Sequence, residues 1–516
     1  MAAEDFYRYL RRRISKCEPV DSLYVMWAYS QYLQVHSFRF PDNIEKHTNF
    51  RADSRADYLL HEWELESVAS EIVLHARGST KSMRDWSTFA QIINRVRWLE
   101  NELYSESGDR DGLIELARIV HRQFPWQQFR PSNRFLYRHY RIYSTSEIDS
   151  ICHRIIGMSV DALYCQALIA SSQFAQAPAL DLDSEVGRAL KPLIAFTGQP
   201  FAEFEAQIKS AHALDHSYAY QVGPIRQFPL IQVESPEAKL ALCPLPTLLT
   251  WRITSALYYD LIKAAPDFGN ALGKSFELYV GAILERAISS PSLRFAGEAA
   301  YGTRNRPKAT SDWLLIEGDA AAVFIECKTK RPSLAAKTAL DDLSALEQDI
   351  GKLADAVVQL YERIRDYSDG LFPILSYVPD RKCYPLVVTL EEWYLISPRV
   401  QKMLDEAVEA RMRTRGLDLG WLEAAPYSAV SVDDFESVSQ LINSLGLIVC
   451  FEGKVRDPER RQWPLSNHLR DLFSTEWNNT RPLFRAETDE MYKRLAGLAE
   501  SAGSSALLGG EGSQPL

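Results

Sequence analysis

Between Gly273 and Ile396 the apolar residues change their spacing three times, and this limits the fold more than any other feature of the chain. "GKSFELYVGAILERAI" sets Phe276, Val280 and Leu284 along one helical face. "LRFAGEAAYG", "TSDWLLIEG" and "AAAVFIECKTK" follow, each of strand length and separated by Gly, Asn or Asp. "TALDDLSALEQDIGKLADAVVQLYERI" returns to helical spacing, with Leu343, Leu346, Ile350, Leu353, Val357 and Leu360 as its stripe, and "CYPLVVTLEEWYLI" closes as a strand. The order helix, three strands, helix, strand is met most economically by one mixed sheet with helices packed on it.

This α/β part is a fraction of 516 residues, too many for a single hydrophobic core, so the chain reads as multidomain. Residues 1–180 read as a largely α-helical domain, carried by "DYLLHEWELESVASEIVLHA" and "STFAQIINRVRWLENELY". Residues 181–265 form a mixed connecting region: "YQVGPIRQFPLIQV" has short strand-like runs, and "KLALCPLPTLLTWRITSALYYDLI" ends as a helix. The α/β domain spans 266–455, a C-terminal helical segment 456–500, and the Gly/Ser-rich tail 501–516 reads as disordered.

A net charge of -10 is no nucleic-acid-binding signature by itself, so such a partner requires a local basic patch. Seven scattered cysteines without a C-x-x-C pair fit reduced, buried thiols in a cytoplasm. No apolar run has the length to cross a bilayer, and no h-region follows the basic N-terminus, so neither a membrane nor a signal peptide is expected.

In "AAAVFIECKTK" strand alternation puts Val323, Ile325 and Cys327 on one face and Phe324, Glu326 and Lys328 on the other. Cys327 then points into packing, while Glu326 and Lys328 project together. Asp312 stands thirteen residues before this pair, and a hairpin turning at 317–320 sets it beside Glu326. Two carboxylates ~4 Å apart repel by roughly 4 kcal/mol at an effective dielectric of 20, so the arrangement calls for a cation or a proton. Hard oxygen ligands with open positions suit Mg²⁺ or Mn²⁺, which polarises a phosphate and lowers the pKa of bound water. Lys328 is placed to orient that water or to stabilise charge developing on phosphate oxygens.

Glu-x-Lys alone is too short to be diagnostic, and Glu452-Gly-Lys454, at the end of "GLIVCFEGK", is a rival. The acidic residues before it, Asp433 and Asp434, read instead as the cap of the helix "DDFESVSQLI". The bland alternative for Glu326 and Lys328 is a solvated strand end making a weak surface pair.

"LGKSFELYVGAIL", "SDW" and "VFIECKTK" together resemble the PD-(D/E)xK, or restriction-endonuclease-like, nuclease superfamily, and within it the Mrr-like and Holliday-junction-resolvase branches. The resemblance covers residues from about 270 to 395. It implies an αβββαβ core, Asp312 and Glu326 as metal ligands, Lys328 as the catalytic lysine, and Glu277 as an accessory acidic residue of the metal site. Gln359 resembles a glutamine that several branches direct at the site from the following helix. Ser311 stands where the proline of the motif's name would be, and the first 270 residues match no such pattern. Outside the resemblance, Glu277 reads as a carboxylate favoured by its helix dipole and Gln359 as a surface residue.

Candidate backbone-phosphate contacts are Arg304, Arg306 and Lys308, in the loop before Asp312, and Lys330 beyond Lys328. From Leu116 to Ser146 there is no acidic residue but six arginines, Arg118, Arg122, Arg130, Arg134, Arg138 and Arg141, interleaved with aromatics. Arg134, Arg138 and Arg141 share a helical face that suits either nucleic acid or an interface. Arg134 and His139 also have the spacing of HEPN-type ribonucleases.

The expectation is a cytoplasmic Mg²⁺-dependent endonuclease acting on DNA more than RNA. Its place would be a prokaryotic anti-phage defence, with the helical region for recognition, regulation or oligomerisation and a possible partner protein of that system. The alternatives are an inactive nuclease-fold scaffold that binds nucleic acid or protein, and a ribonuclease centred on Arg134 and His139.

Overall fold

The computed structural model describes residues 3–34, 38–48, 59–106, 122–123, 126, 132–215, 217–221, 223–236, 238–331, 333, 344–393 and 398–501. They fall into two compact units. The first draws on Met1–Arg110, Arg122–Phe268 and the chain from Ala486, and the second on Gly269–Arg485.

In the first unit, helices α1 (Ala3–Ile14), α2 (Pro19–Gln34), α3 (Glu62–His75) and α4 (Trp86–Glu106) bury Leu10, Met26, Tyr29, Leu65, Ile72, Phe89 and Val96 in a common core. Helices α5 (Asn133–Tyr143), α6 (Ser146–Ile156) and α7 (Val160–Gln176) follow. A four-stranded sheet has the order β1 (Ala179–Asp181), β4 (Lys239–Leu242), β3 (Leu230–Glu234), β2 (Gly198–Pro200). The strand-like runs expected after residue 219 thus supply β3, and "KLALCPLP" supplies β4 before turning helical at Thr247. No single helix among the described residues is long and apolar enough to cross a membrane.

The second unit opens with α8 (Phe268–Ala287), in which Phe276, Val280 and Leu284 are all buried. Its five-stranded sheet runs in the order β11 (Ser428–Ser431), β10 (Lys382–Thr389), β9 (Ala321–Lys328), β8 (Trp313–Glu317), β5 (Leu293–Gly297). The pairs β5–β8 and β8–β9 are antiparallel, whereas β9–β10 and β10–β11 are parallel. The parallel β9–β10 pair needs a crossover, and α9 (Ser344–Ser368) supplies it. Its stripe residues Ile350, Leu353, Val357 and Leu360 are buried against Leu314, Ile316, Ala322 and Phe324 on one sheet face; Leu343 lies outside the described residues. Central position explains why β9 reads as an almost continuous apolar run: all of its residues but Lys328 are buried. Helices α10 (Pro398–Thr414), α11 (Val432–Leu445) and α12 (Leu447–Arg456) follow. The seven cysteines are free and buried.

Four expectations change. "LRFAGEAAYG" is not one strand: it breaks at Glu298 into β5 and β6 (Ala300–Thr303). "RNRPK" is not a loop, because Arg306–Ala309 pairs back on β6 as β7 across a two-residue turn, Arg304–Asn305. Asp433 and Asp434 lie in the first turn of α11, but the cap is Ser431, whose hydroxyl accepts the Asp434 N–H at 3.4 Å. "GLIVCFEGK" is helical as α12, so Glu452 and Lys454 do not share a strand face. The buried Lys454 amine instead donates to the carbonyls of Arg460, at 3.0 Å, and Arg461, at 3.2 Å. Lys454 thus ties α12 to the short helix Pro458–Arg461 that follows it. The edge strand β11 was not anticipated.

Candidate active site

The β8–β9 hairpin assembles the carboxylates. Its turn is tight, with Gly318 at φ +48° and the Ala320 N–H donating to the Glu317 carbonyl at 3.0 Å. Pairing runs from Glu317↔Ala321 to Trp313↔Ile325, so Asp312, one residue before β8, stands level with Glu326. The Cys327 N–H then donates to Asp312 Oδ2 at 2.7 Å and fixes the carboxylate against the end of β9. Alternation sends Glu326 to the face that Phe324 presents to α9.

Glu326 is only 2% exposed. Its Oε1 accepts from Lys328 Nζ at 2.8 Å, while its Oε2 is buried without a hydrogen-bond partner. Burial pushes the Glu326 carboxyl up to about 7, with Lys328 opposing and Asp312 reinforcing the shift. Burial also raises the Asp312 carboxyl, against the Cys327 amide and the charges of Lys328 and Arg363. Burial alone would depress the Lys328 amine, but its pairing with Glu326 outweighs that and raises it. Buried charges without full compensation behave in this way.

Glu277 approaches from α8, which the Trp313 indole docks by donating to the Glu277 carbonyl at 3.0 Å. Gly281 makes that approach possible, because a Cβ there would lie 2.1 Å from Trp313 Cζ2. Burial, then the charges of Asp312 and Glu298, push the Glu277 carboxyl up to about 7. Among the described residues no three His, Cys, Asp or Glu side chains are grouped to hold a metal. Two carboxylates, one with an unpartnered buried oxygen, nonetheless suit an ion such as Mg²⁺, which is commonly held by one or two carboxylates plus waters and phosphate oxygens.

Comparison with protein-family models, curated proteins and solved structures found no match for this chain.

Gln359, on α9, is half-buried and makes no side-chain hydrogen bond to Asp312, Glu326 or Lys328. A charge on α9 that does bear on the carboxylates is that of Arg363, one turn further on, which sequence reasoning missed. Its charge acts on both Asp312 and Glu326, and its buried Nε has no hydrogen-bond partner. The i, i+4 spacing from Gln359 was the available signal.

The candidate phosphate contacts separate. Arg304 is exposed at the hairpin turn, and the Arg306 side chain lies outside the described residues. Lys308 is engaged by Asp366, at 2.7 Å, and Lys330 by Asp349, at 3.2 Å. Arg331 is buried on Glu391. In α5, Arg134 is half-buried and Arg141 donates to the Tyr137 hydroxyl at 3.0 Å. Arg138 is 2% exposed, which corrects its expected place on an open phosphate-binding surface: α5 packs it inside. His139 is 3% exposed, with Nδ1 against the Phe135 carbonyl at 3.0 Å. Arg122 is bound by Glu100, and Arg118 and Arg130 lie outside the described residues.

Proposed function

We propose that the second unit is a restriction-endonuclease-like domain and that the chain is a metal-dependent nuclease, cutting DNA in preference to RNA. The observation that carries this is the meeting of Asp312 and Glu326 on one sheet face, with Lys328 on one Glu326 oxygen and the other oxygen buried and unpartnered. Asp312 and Glu326 would hold Mg²⁺ or Mn²⁺, which when bound supplies Lewis-acid polarisation of the phosphate and a more acidic water. Lys328 holds Glu326 in place and presents an ammonium to the attacking water or to charge growing on the phosphate. Glu277 adds negative potential that favours cation over empty pocket. The helical first unit would recognise substrate, regulate or mediate oligomerisation, and defence against foreign DNA is the role that this combination suggests.

The ribonuclease alternative is disfavoured by the burial of His139, a group that would have to touch RNA. The scaffold alternative leaves a costly cluster of buried charge without a use. The test is incubation with plasmid and RNA, with and without Mg²⁺. Cleavage is expected only with the divalent ion, and Asp312→Asn and Lys328→Ala should lower it by on the order of 10²-fold or more, with unchanged circular dichroism. Undiminished cleavage by both variants would remove this site from consideration; RNA cleavage persisting in EDTA would favour the ribonuclease.

A further inference from the structure

In the first unit α1 and α4 pack side by side, and two large rings stand on their outer faces. Tyr9, on α1, and Trp98, on α4, lie outside the buried core and are each 47% exposed. The Arg95 guanidinium, from α4, lies over both, 4.9 Å from the Tyr9 ring centre and 4.6 Å from that of Trp98. Phe6 braces the Trp98 ring from α1, with centroids 6.5 Å apart. Arg12 and Arg13 follow Tyr9 by three and four residues, so they share its side of α1. The turn that ends α1 then adds Lys16. Arg12 and Lys16 are exposed and Arg13 is half-buried. Among the described residues none of these four cations is paired with a carboxylate. Asp5, one turn before Tyr9, is taken by Arg8 at 3.1 Å, and Glu102, one turn along α4 from Trp98, marks the acidic edge. The helix dipole accounts for arginines in the last turn of α1, but not for rings left half in water beside them.

We propose that this face of α1 and α4 binds single-stranded nucleic acid, with Tyr9 and Trp98 stacking bases and Arg12, Arg13 and Lys16 holding the backbone. Rings held in place by a guanidinium are ready stacking platforms, and free cations beside them complement a phosphate chain. A duplex hides its base faces in its own stack, so exposed rings favour the single strand. From Tyr9 to Lys16 the chain rises about 10 Å, room for about three stacked nucleotides. In a chain of net charge -10 this is a local reversal of sign. A bilayer is a poorer occupant, because the aliphatic residues of α1, Leu10 and Ile14, are fully buried and no apolar stripe is left to insert.

The test follows anisotropy of labelled oligo-dT and oligo-rU of about fifteen nucleotides, and of a duplex of that length, across a salt series in EDTA. This needs neither metal nor the carboxylates, so Asp312→Asn should bind as wild type does, and the proposal stands or falls apart from the nuclease reading. Tyr9→Ala and Trp98→Ala should each weaken single-strand binding roughly 5- to 150-fold, with the salt slope unchanged and the duplex little affected. Trp98→Phe should recover most of that loss. Arg12→Gln combined with Lys16→Gln should instead flatten the slope of log affinity against log salt by ~1.4, the single-strand value for two phosphates. All of these side chains lie outside the core, so melting temperatures should stay close to wild type. Binding of either strand in this pattern supports the proposal, and the tighter one identifies the strand. It is overturned if wild type binds neither strand, if both ring variants bind as wild type does, or if duplex and single strand lose equally. It is also overturned if the same variants abolish binding to anionic vesicles or dissociate a dimer while leaving the strands bound.

Discussion

Glu326 faces two ways: one oxygen is held by an ammonium and the other is sealed off with nothing to bind. A carboxyl whose titration lies near 4.5 in the unfolded chain and about 7 in the folded one binds its proton more tightly when folded. Its contribution to stability is therefore complete below about 4.5 and is lost as pH rises through 7. Metal-free wild type should lose melting temperature between pH 5.5 and pH 8, and Glu326→Gln should lose clearly less over the same range. Added Mg²⁺ should raise the melting temperature of wild type at pH 8 and leave that of Glu326→Gln almost unmoved. Parallel pH curves for the two proteins, measured by differential scanning fluorimetry, would contradict an uncompensated carboxyl at this position.

At the level of elements, the site depends on how closely α8 lies on β8. The Trp313 ring occupies the space a side chain at 281 would need. Gly281→Ala should destabilise the second unit by about 1–3 kcal/mol, the range for an overpacked core, and push Glu277 away from the carboxylates. Urea unfolding measures the first effect, and loss of cleavage by the folded variant the second. The β6–β7 hairpin makes a parallel case. Burial alone would raise the Asp366 carboxyl, but the Lys308 and Tyr301 hydrogen bonds outweigh it and hold the group below its usual value. Asp366→Asn should cost about 1–3 kcal/mol, because it weakens both bonds from one buried acceptor. Hydrogen exchange should show the loss concentrated in residues 300–309.

Across the whole molecule the charge is -10, and many of the candidate cations are already engaged by carboxylates or packed inside. Long-range attraction to a polyanion is therefore weak, and binding must rest on a few local contacts. Affinity for a duplex should fall with salt at a slope of roughly −2 to −4, the value for two to four phosphates. A slope steeper than about −6, from anisotropy titrations in EDTA, would mean a basic surface that these residues do not form.

Much of the second unit was legible because its determinants are local. The helical spacing of Phe276, Val280 and Leu284, the alternation along Val323–Lys328 and the turn at 317–320 each need only neighbours in the chain. Three features were not legible for the opposite reason. Lys454 reads as a strand-end residue until α12 forms around it, since short apolar runs fit either period. The β6–β7 hairpin is held by Asp366, nearly sixty residues away from Lys308. Arg363 reads as one more surface arginine until the β8–β9 hairpin sets in place the two carboxylates on which its charge acts.

By itself the sequence determined which of the longer periodic segments become helix or strand and which of their side chains share a face, because backbone geometry sets those periods over a few residues. Only the tertiary structure decided that the charge of Arg363 would bear on the carboxylates, that burial would raise the Glu277 carboxyl, and that Arg138 would be packed inside. Each of those outcomes depends on contacts between residues far apart in the chain, where packing and desolvation, not local propensity, set the energy.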